Sequence, residues 1–277
     1  MGFAALALLA LLSGFADQLY TQESYDLAAL EYARVLFEEG DTLGHPQEAL
    51  RLARCMHLTG EYERALSLYT FLAEGLPDGD QRAMAWLGAG TVYSELGMHS
   101  LSRDAYVSAA GTAGDSDLVF RAQLLGSLSP LYRMEWMRSS TELSAMALTW
   151  PGARGLLARE LSELAAEGEH LPRKSPFWCG AASALIPGCG QMICGHTTDG
   201  LIALGMNAAV GLLLYFSIEE ENTSTTVFFG WLAATFYGAN VIGGGRAAEY
   251  ANVEERRNHF RAIYDRLESW NWDYQPY

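Results

Sequence analysis

Three long stretches in the C-terminal half contain no Asp, Glu, Lys or Arg, and they constrain the fold more than any other feature. The stretches are residues 175–198, 200–218 and 222–245. A helix needs about 20 mostly apolar residues to cross a bilayer, and the core helices of soluble proteins rarely stay uncharged for so long. Residues 175–245 are therefore predicted to form a helical membrane domain in contact with the lipid bilayer.

The second and third stretches are predicted to form a helical hairpin. They are separated by the polar turn formed by residues 219–223, which contains three consecutive glutamates. The third stretch carries small residues at helical spacings, and such residues allow membrane helices to approach closely. A buried hairpin inside a soluble domain is the alternative interpretation.

The first stretch is interrupted by Pro187, Gly188 and Gly190. A proline inside a helix removes a backbone donor and kinks or breaks the helix. Residues 175–195 are therefore predicted to form either a kinked membrane span or an interfacial helix. The membrane domain has two or three spanning helices, depending on which of these holds.

The distribution of basic residues predicts the orientation. The chain after Gly245 contains five arginines, whereas the acidic turn contains no Lys or Arg. The positive-inside rule then places the C-terminal tail in the cytoplasm and the turn outside. With an exported N-terminal domain the number of spans must be odd, so three is the preferred number. Arg173 and Lys174 would then lie on the outer side, against the rule.

Export is predicted from residues 1–16, which are interpreted as a cleaved signal peptide. The apolar run of residues 3–12 is too short to span a bilayer. Gly14 and Ala16 are small, as a signal-peptidase site requires. No Lys or Arg precedes the run. A buried N-terminal helix and an uncleaved anchor are the alternatives.

Residues 17–170 contain an internal repeat. Three sets of residues recur at a spacing of 37: the tyrosines 32, 69 and 106, the small residues 28, 65 and 102, and the glycines 60 and 97. Self-similarity at such a period is typical of stacked helical hairpins, none of which buries its apolar face alone. In such a stack, small residues are expected to let neighbouring helices approach while large ones fill the gaps.

The repeat resembles the tetratricopeptide family. The best-matching unit contains Trp86, Ala89-Gly90, Tyr93, Gly97, Ser102, Tyr106 and Ala109. The period is 37 residues here, against 34 in the family, and the signature fades beyond residue 117. The resemblance implies an all-α solenoid of helical hairpins whose concave groove holds a protein or peptide partner. The candidate partner-binding residues lie on the first helices of the hairpins, away from the packing stripe: Arg54, His57, Met84, Leu87, Thr91 and Ser94.

The broken stretch resembles a second family, the small two-transmembrane-helix domains with a Pro-Gly-x-Gly-Gln motif. The motif is carried here by Pro187, Gly188, Gly190, Gln191 and Gly195. The resemblance implies a glycine-rich turn that links two spans. From the residues themselves, Gln191 is expected to bond backbone groups that the broken helix frees, since lipid cannot bond them. Asn207 and Asn240 lie within the spans and are expected to face the interior of the bundle.

No cofactor, metal or catalytic site is predicted. The net charge of −15 argues against nucleic acid as a ligand. Cys189, Cys194 and His196 match no common zinc spacing. Phosphate-binding loops and hydrolase motifs are missing from the sequence. Residues 246–277 are predicted to form an amphipathic helical tail, preceded by a flexible hinge at residues 243–245.

These features together predict a scaffold or adaptor protein of a bacterial inner membrane. The repeat domain is expected in the periplasm, where it binds its partner, and the tail in the cytoplasm. The alternative is a small transporter, channel or insertion-factor subunit that the repeats regulate. Substitution of Asn207 and Asn240 separates the two hypotheses.

Overall fold

The computed structural model describes residues 14–77 and 79–270, and all regular elements in these residues are helices. The predicted all-α fold is therefore confirmed. The chain divides into two compact units. The first contains Met1–Glu169 together with Glu268–Tyr277, and the second contains His170–Leu267.

The first unit is a succession of antiparallel helical hairpins. Helix α1 is described over residues 14–21. The helices that follow are α2 Tyr25–Glu39, α3 Pro46–Leu58, α4 Tyr62–Gly75, α5 Gly79–Glu95, α6 His99–Thr112, α7 Ser116–Leu128, α8 Trp136–Thr149 and α9 Gly152–Glu169, with a 3-10 turn at Ser129–Arg133 before α8. Helices that are neighbours in the chain pack against each other throughout this unit.

The residues of the 37-residue ladder form the core of the stack. Tyr32 and Tyr69 are fully buried and Tyr106 is 4% exposed. A Cβ on Gly90 would lie 2.6 Å from the ring of Tyr106, so only glycine permits this close approach. The predicted packing of small against large residues is confirmed at this contact.

Helical hairpins continue beyond residue 117, where the repeat signature fades. Trp136 of α8 is 1% exposed, and its ring lies against Gly168 of α9, where a Cβ would overlap it. The same principle of a large ring against a glycine therefore stabilises the last hairpin. The two residues lie outside the 37-residue ladder, so the spacing does not predict their contact.

The first residues that the structure describes pack into the repeat core. Ala16 is fully buried among apolar residues of α2 and α3. Asp17 accepts a 2.6 Å hydrogen bond from the hydroxyl of Tyr32 and forms an ion pair with Arg51. Most of the predicted signal peptide, residues 1–13, lies outside the described residues. Its last residues, 14–16, are helical.

The second unit contains α10 Pro176–Leu185, α11 Cys189–Ile193, α12 Thr197–Glu219 and α13 Thr223–Glu268. Among the described residues, α12 and α13 are the two helices long and apolar enough to cross a membrane. The first charge-free stretch instead forms two short helices. At 1.5 Å per residue α10 is about 15 Å long, half the thickness of a hydrocarbon core. The structure therefore supports two spanning helices and not the preferred three.

Helix α13 is continuous from Thr223 to Glu268. The predicted hinge at residues 243–245 is therefore wrong, and the predicted boundary of the tail falls inside a helix. The glycines serve a close contact instead. A Cβ on Gly244 would lie 2.7 Å from the carbonyl oxygen of Cys179 and 2.5 Å from the hydroxyl of Ser183. Glycine at this position lets α10 lie directly against α13.

Candidate functional site

The break between α10 and α11 is held by two side chains of α13. In a continuous helix the carbonyl of Ser183 would accept a hydrogen bond from the residue at position 187, but Pro187 has no N–H. Asn240 replaces this donor: its Nδ2 donates to the Ser183 oxygen at 2.7 Å. Its Oδ1 accepts from the N–H of Gly188 at 2.8 Å. The hydroxyl of Tyr237 donates to the carbonyl of Ala184 at 2.5 Å.

A second set of hydrogen bonds joins the two short helices. The hydroxyl of Ser183 donates to Oε1 of Gln191 at 2.8 Å and accepts from the N–H of Gly190 at 3.0 Å. The Nε2 of Gln191 donates to the carbonyl of Asn240 at 3.3 Å. Gln191 therefore bonds a backbone group, as expected, but the groups freed by the break itself are bonded by Asn240. We call Ser183, Gly188, Gly190, Gln191, Tyr237 and Asn240 the Asn240 cluster.

Two glycines of the motif are required by the geometry of this turn. Gly188 has φ of 85°, a left-handed conformation that residues with a Cβ rarely adopt. A Cβ on Gly190 would overlap the carbonyl oxygen of Cys179. The Pro-Gly-x-Gly pattern thus breaks the helix and lets α11 fold back closely against α10. The turn links two short helices, whereas the family resemblance implies a link between two spans.

Two thiols face each other across this hairpin. Cys179 of α10 and Cys194, directly after α11, are both buried, and their sulfur atoms are 3.2 Å apart. Cys194 and His196 do not form a metal site with Cys189. In residues 14–77 and 79–270, no group of three or more His, Cys, Asp or Glu side chains is arranged to hold a metal ion.

The start of α10 and the end of α11, which are the open ends of the hairpin, lie beside a part of α13 that follows the Asn240 cluster in the chain. Asn252 bonds the backbone of Lys174 twice: its Nδ2 donates to the Lys174 carbonyl and its Oδ1 accepts from the Lys174 N–H, both at 2.8 Å. The ammonium of Lys174 donates to the carbonyl of Ile193 at 3.0 Å, which joins the start of α10 to the end of α11. Gly195, with φ of 92°, makes the exposed turn into α12.

Asn207 lies apart from the Asn240 cluster. Its Nδ2 donates to the carbonyl of Ala203 on its own helix at 2.8 Å. It lines an open cleft of about 520 Å³ between α12 and α13, whose other walls are mostly apolar: Pro187, Leu204, Ala208, Ala233, Ala234 and Tyr237. Asn240, in contrast, faces the bundle interior as expected. The two asparagines therefore do not form one polar pathway.

Comparisons of this chain with protein-family models, with curated proteins and with solved structures found no match. Both family resemblances stay predictions.

The candidate partner-binding residues differ in their exposure. Arg54, Met84, Thr91 and Ser94 are half-buried and reach the surface of α3 and α5. The remaining two do not form an open surface. Leu87 is 6% exposed and belongs to a core cluster with residues of α6 and α7. His57 is 4% exposed.

His57 connects the first helices of two hairpins. Its Nε2 lies 2.9 Å from a carboxylate oxygen of Glu95 at the end of α5, and its Nδ1 lies 3.3 Å from the guanidinium of Arg54. Burial lowers the pKa of His57 and outweighs the opposing effect of Glu95. The neutral imidazole bridges α3 and α5, so its role in the structure is packing.

The sequence pattern did not predict which residues of the hairpin contact α13. Gly244 belongs to the glycine run 243–245 that was interpreted as a hinge, and no spacing connects Ser183 with Gly244 or Lys174 with Asn252. Tyr237 and Asn240 are three residues apart and therefore lie on one face of a helix. A polar pair at that spacing inside an apolar helix is a signal from which their shared contact could have been predicted.

Proposed function

We propose that the chain is a membrane-anchored adaptor. Its helical repeats bind a protein or peptide partner, and its C-terminal helices hold the complex at a bacterial inner membrane. The observation that carries the proposal is the combination, in one chain, of a stacked-hairpin unit and a unit with two helices of spanning length. Stacked hairpins leave a surface that their own packing does not use, and such surfaces bind peptides and helices.

The exposure of α12 and α13 supports the membrane part of this proposal. Only 11% of the apolar window of each helix is buried. A core helix of a soluble protein buries most of such a window, whereas a helix in a bilayer exposes it to lipid at no cost. Leu212, Leu213 and Phe216 are each about half exposed. The arginines that follow Gly245 favour a cytoplasmic tail.

The partner surface is assigned to the exposed parts of α3 and α5. Arg54 and Ser94 offer one cation and one hydroxyl. Met84 is in part packed against the core, and the hydroxyl of Thr91 donates to the carbonyl of Leu87 at 3.0 Å. Because no single charge dominates, the partner is expected to combine apolar and polar contacts. A cleft of about 430 Å³ between α6, α7 and α8 extends the available surface. The ion pair of Arg103 and Glu142 forms one of its edges.

Site-specific photocrosslinking in native membranes tests the proposal. A photoreactive residue is placed at Arg54 or at Ser94, and a control is placed at the exposed Asp104 of α6, the second helix of its hairpin. The adaptor hypothesis predicts a defined adduct with one partner from the first two positions and none from the control. Equal adducts at all three positions, or none at any, would reject it.

The alternative of a channel or transporter has less support. A polar pathway needs polar groups that are available to a solute. Both polar atoms of the Asn240 amide are used within the hairpin, and the cleft beside Asn207 is mostly apolar.

A further inference from the structure

The hairpin of α10 and α11 begins and ends at the same level of α13. Lys174, before α10, is bonded to Asn252, and its ammonium reaches the carbonyl of Ile193 at the end of α11. Residues 194–196 and Lys174 line one cleft together with residues 250–255 and Arg257 of α13. Both open ends of the hairpin therefore lie beside the part of α13 that follows Arg246, which we call the tail side.

The tip of the hairpin lies only a short way along the apolar part of α13. Asn240, which holds the tip, is about 9 Å along the helix axis from Arg246 and about 27 Å from Asn222 at the other end of the charge-free stretch. A hydrocarbon core is about 30 Å thick. The tip therefore reaches about a quarter of the way along the apolar part of α13, after which α11 returns.

The outer face of the hairpin is apolar and has no protein cover within the second unit. Phe177 and Trp178 are 72% and 70% exposed, and Leu185 is 86% exposed at the tip. Ile186 and Ile193 are more than half exposed as well. This surface is continuous with the exposed faces of α12 and α13, since Pro187 lines one cleft with residues of both helices.

We propose that α10 and α11 form a re-entrant hairpin that enters the bilayer from the tail side, contacts lipid acyl chains with its outer face and returns to the same side. This inference rests on the proposed membrane anchoring. It differs from a third crossing, because the chain before α10 and the chain after Arg246 then share one side of the membrane.

The charge distribution agrees with this arrangement. On the tail side lie seven basic residues: Arg173, Lys174, Arg246, Arg256, Arg257, Arg261 and Arg266. On the opposite side lies the turn of Glu219, Glu220 and Glu221, which has no basic residue. The positive-inside rule is then satisfied without the exception that three spans require at Arg173 and Lys174. The rule makes the tail side cytoplasmic, and the re-entrant arrangement then places the repeat unit, which precedes residue 170, in the cytoplasm as well. This arrangement replaces the sequence-based expectation of an exported, periplasmic repeat domain.

Hydrogen bonds to the backbone explain why a hairpin that enters the bilayer only part of the way is stable. A broken helix in lipid exposes N–H and C=O groups that have no water to bond, and such backbone is tolerated only where protein bonds it. The Asn240 cluster supplies these bonds at the tip, where water is farthest away. At the open ends of the hairpin, the ammonium of Lys174 bonds the carbonyl of Ile193, and Asn252 bonds the carbonyl of Lys174. A charged ammonium group is compatible with a position at the membrane–water interface.

Reporter cysteines in the full chain test the proposal. Arg173→Cys, Glu220→Cys and Glu255→Cys are all exposed positions, so folding should be unaffected. A membrane-impermeant maleimide is added to sealed vesicles of each orientation, with the parent chain as the control for native cysteines. Positions 173 and 255 should label in one orientation and position 220 in the other. Labelling of position 173 together with 220 would overturn the hairpin and restore three crossings.

A fourth variant tests the depth and the lipid contact of the tip. Leu185→Cys should resist aqueous maleimide in sealed and in permeabilised vesicles, and should label after detergent replaces the lipid. Labelling before detergent would place the tip in water, and protection after detergent would show a protein cover; either result overturns the lipid contact. If alkaline washing strips the chain from vesicles, the membrane anchoring fails as well. If the chain resists alkaline washing but positions 173 and 220 label in the same vesicle orientation, only the re-entrant hairpin is refuted.

Discussion

Replacing Asn240 with alanine is expected to open the re-entrant hairpin much more often. The substitution removes the 2.8 Å bond to the Gly188 N–H and the 2.7 Å bond to the Ser183 carbonyl. Neither group has a helical alternative. Pro187 has no N–H for the Ser183 oxygen. The extended backbone of Ile186 (φ −132°, ψ 113°) turns the Gly188 N–H away from the carbonyl of Ala184 that it would use in a helix.

The magnitude follows from these two losses. Side-chain hydrogen bonds between membrane helices contribute about 0.6 kcal/mol on average, because the separated helices find other partners. A buried group left without any partner costs about 1–3 kcal/mol. The second value applies here, because the break fixes both groups where no other donor or acceptor is available. The expected cost is about 2–6 kcal/mol for the two groups together.

The buried thiols of Cys179 and Cys194 provide the assay. They react with maleimide only when the hairpin opens, so their labelling rate reports the free energy of opening. In the full chain in detergent micelles, Asn240→Ala should raise this rate about thirty-fold to about twenty-thousand-fold, at tenfold per 1.4 kcal/mol. The labelled peptides are identified by mass spectrometry.

Two controls make the result specific. Asn207→Ala loses a bond to a carbonyl of its own helix, and its labelling rate should change less than about threefold. Cys55 of the repeat unit, whose pKa burial raises to about 12, should stay equally unreactive in both variants. The reasoning is refuted if Asn240→Ala labels as slowly as the parent chain, or if both asparagine variants accelerate labelling equally.

Three further predictions concern individual contacts. Gly90→Ala places a Cβ 2.6 Å from the ring of Tyr106 and should lower the free energy of unfolding by about 1–3 kcal/mol in thermal or denaturant unfolding. Gly111→Ala, the control, has open space around the new Cβ and should raise the free energy of unfolding by up to about 1 kcal/mol. Equal effects of the two substitutions would contradict the packing. Burial lowers the pKa of His57, so its contribution to stability is present above the unfolded pKa of about 6.5 and is lost as the pH falls through the folded pKa. His57→Gln should therefore flatten the fall in stability below about pH 6.5, and an unchanged slope would contradict this. In detergent, a small disulfide reagent should oxidise Cys179 and Cys194 to a disulfide, while the disulfide of the reagent is reduced to two thiols. Mass spectra that show only mixed disulfides between a protein cysteine and the reagent would contradict the 3.2 Å contact of the two sulfur atoms.

The fold of the first unit was largely predictable, because its core repeats. Tyr32, Tyr69 and Tyr106 share a spacing, and all three are buried in the stack. Where the spacing ends, so does the prediction: Trp136 and Gly168 make the same kind of contact without any repeat to mark them. A spacing in the sequence predicts a contact between a large ring and a glycine only where that contact recurs at a fixed interval.

The partner surface was predictable only in part. Helical periodicity separates the packing stripe from the remaining faces, but α5 lies between α4, α6 and α7 and is buried on more than one face. Leu87 therefore lies in the core although it is off the stripe. How many helices surround a given helix is a property of the whole stack, so the exposure of a single position depends on distant residues.

The path of the chain through the membrane unit depends on contacts that are distant in sequence. The length of the charge-free stretches predicts spanning helices, and the break is predicted by Pro187, Gly188 and Gly190. The direction in which the chain continues after the break is set by Asn240 and by Asn252, which is 78 residues from Lys174. Hydropathy reports length and not direction, so a kinked span and a re-entrant hairpin give the same pattern.

Alkaline extraction of membranes that contain the full chain tests whether the second unit is anchored in the bilayer. Carbonate at high pH removes proteins that are bound to a membrane surface and leaves those whose apolar helices lie in the hydrocarbon core. The exposed apolar faces of α12 and α13 predict that the chain sediments with the washed membranes. Quantitative release of the intact chain into the supernatant would contradict the account.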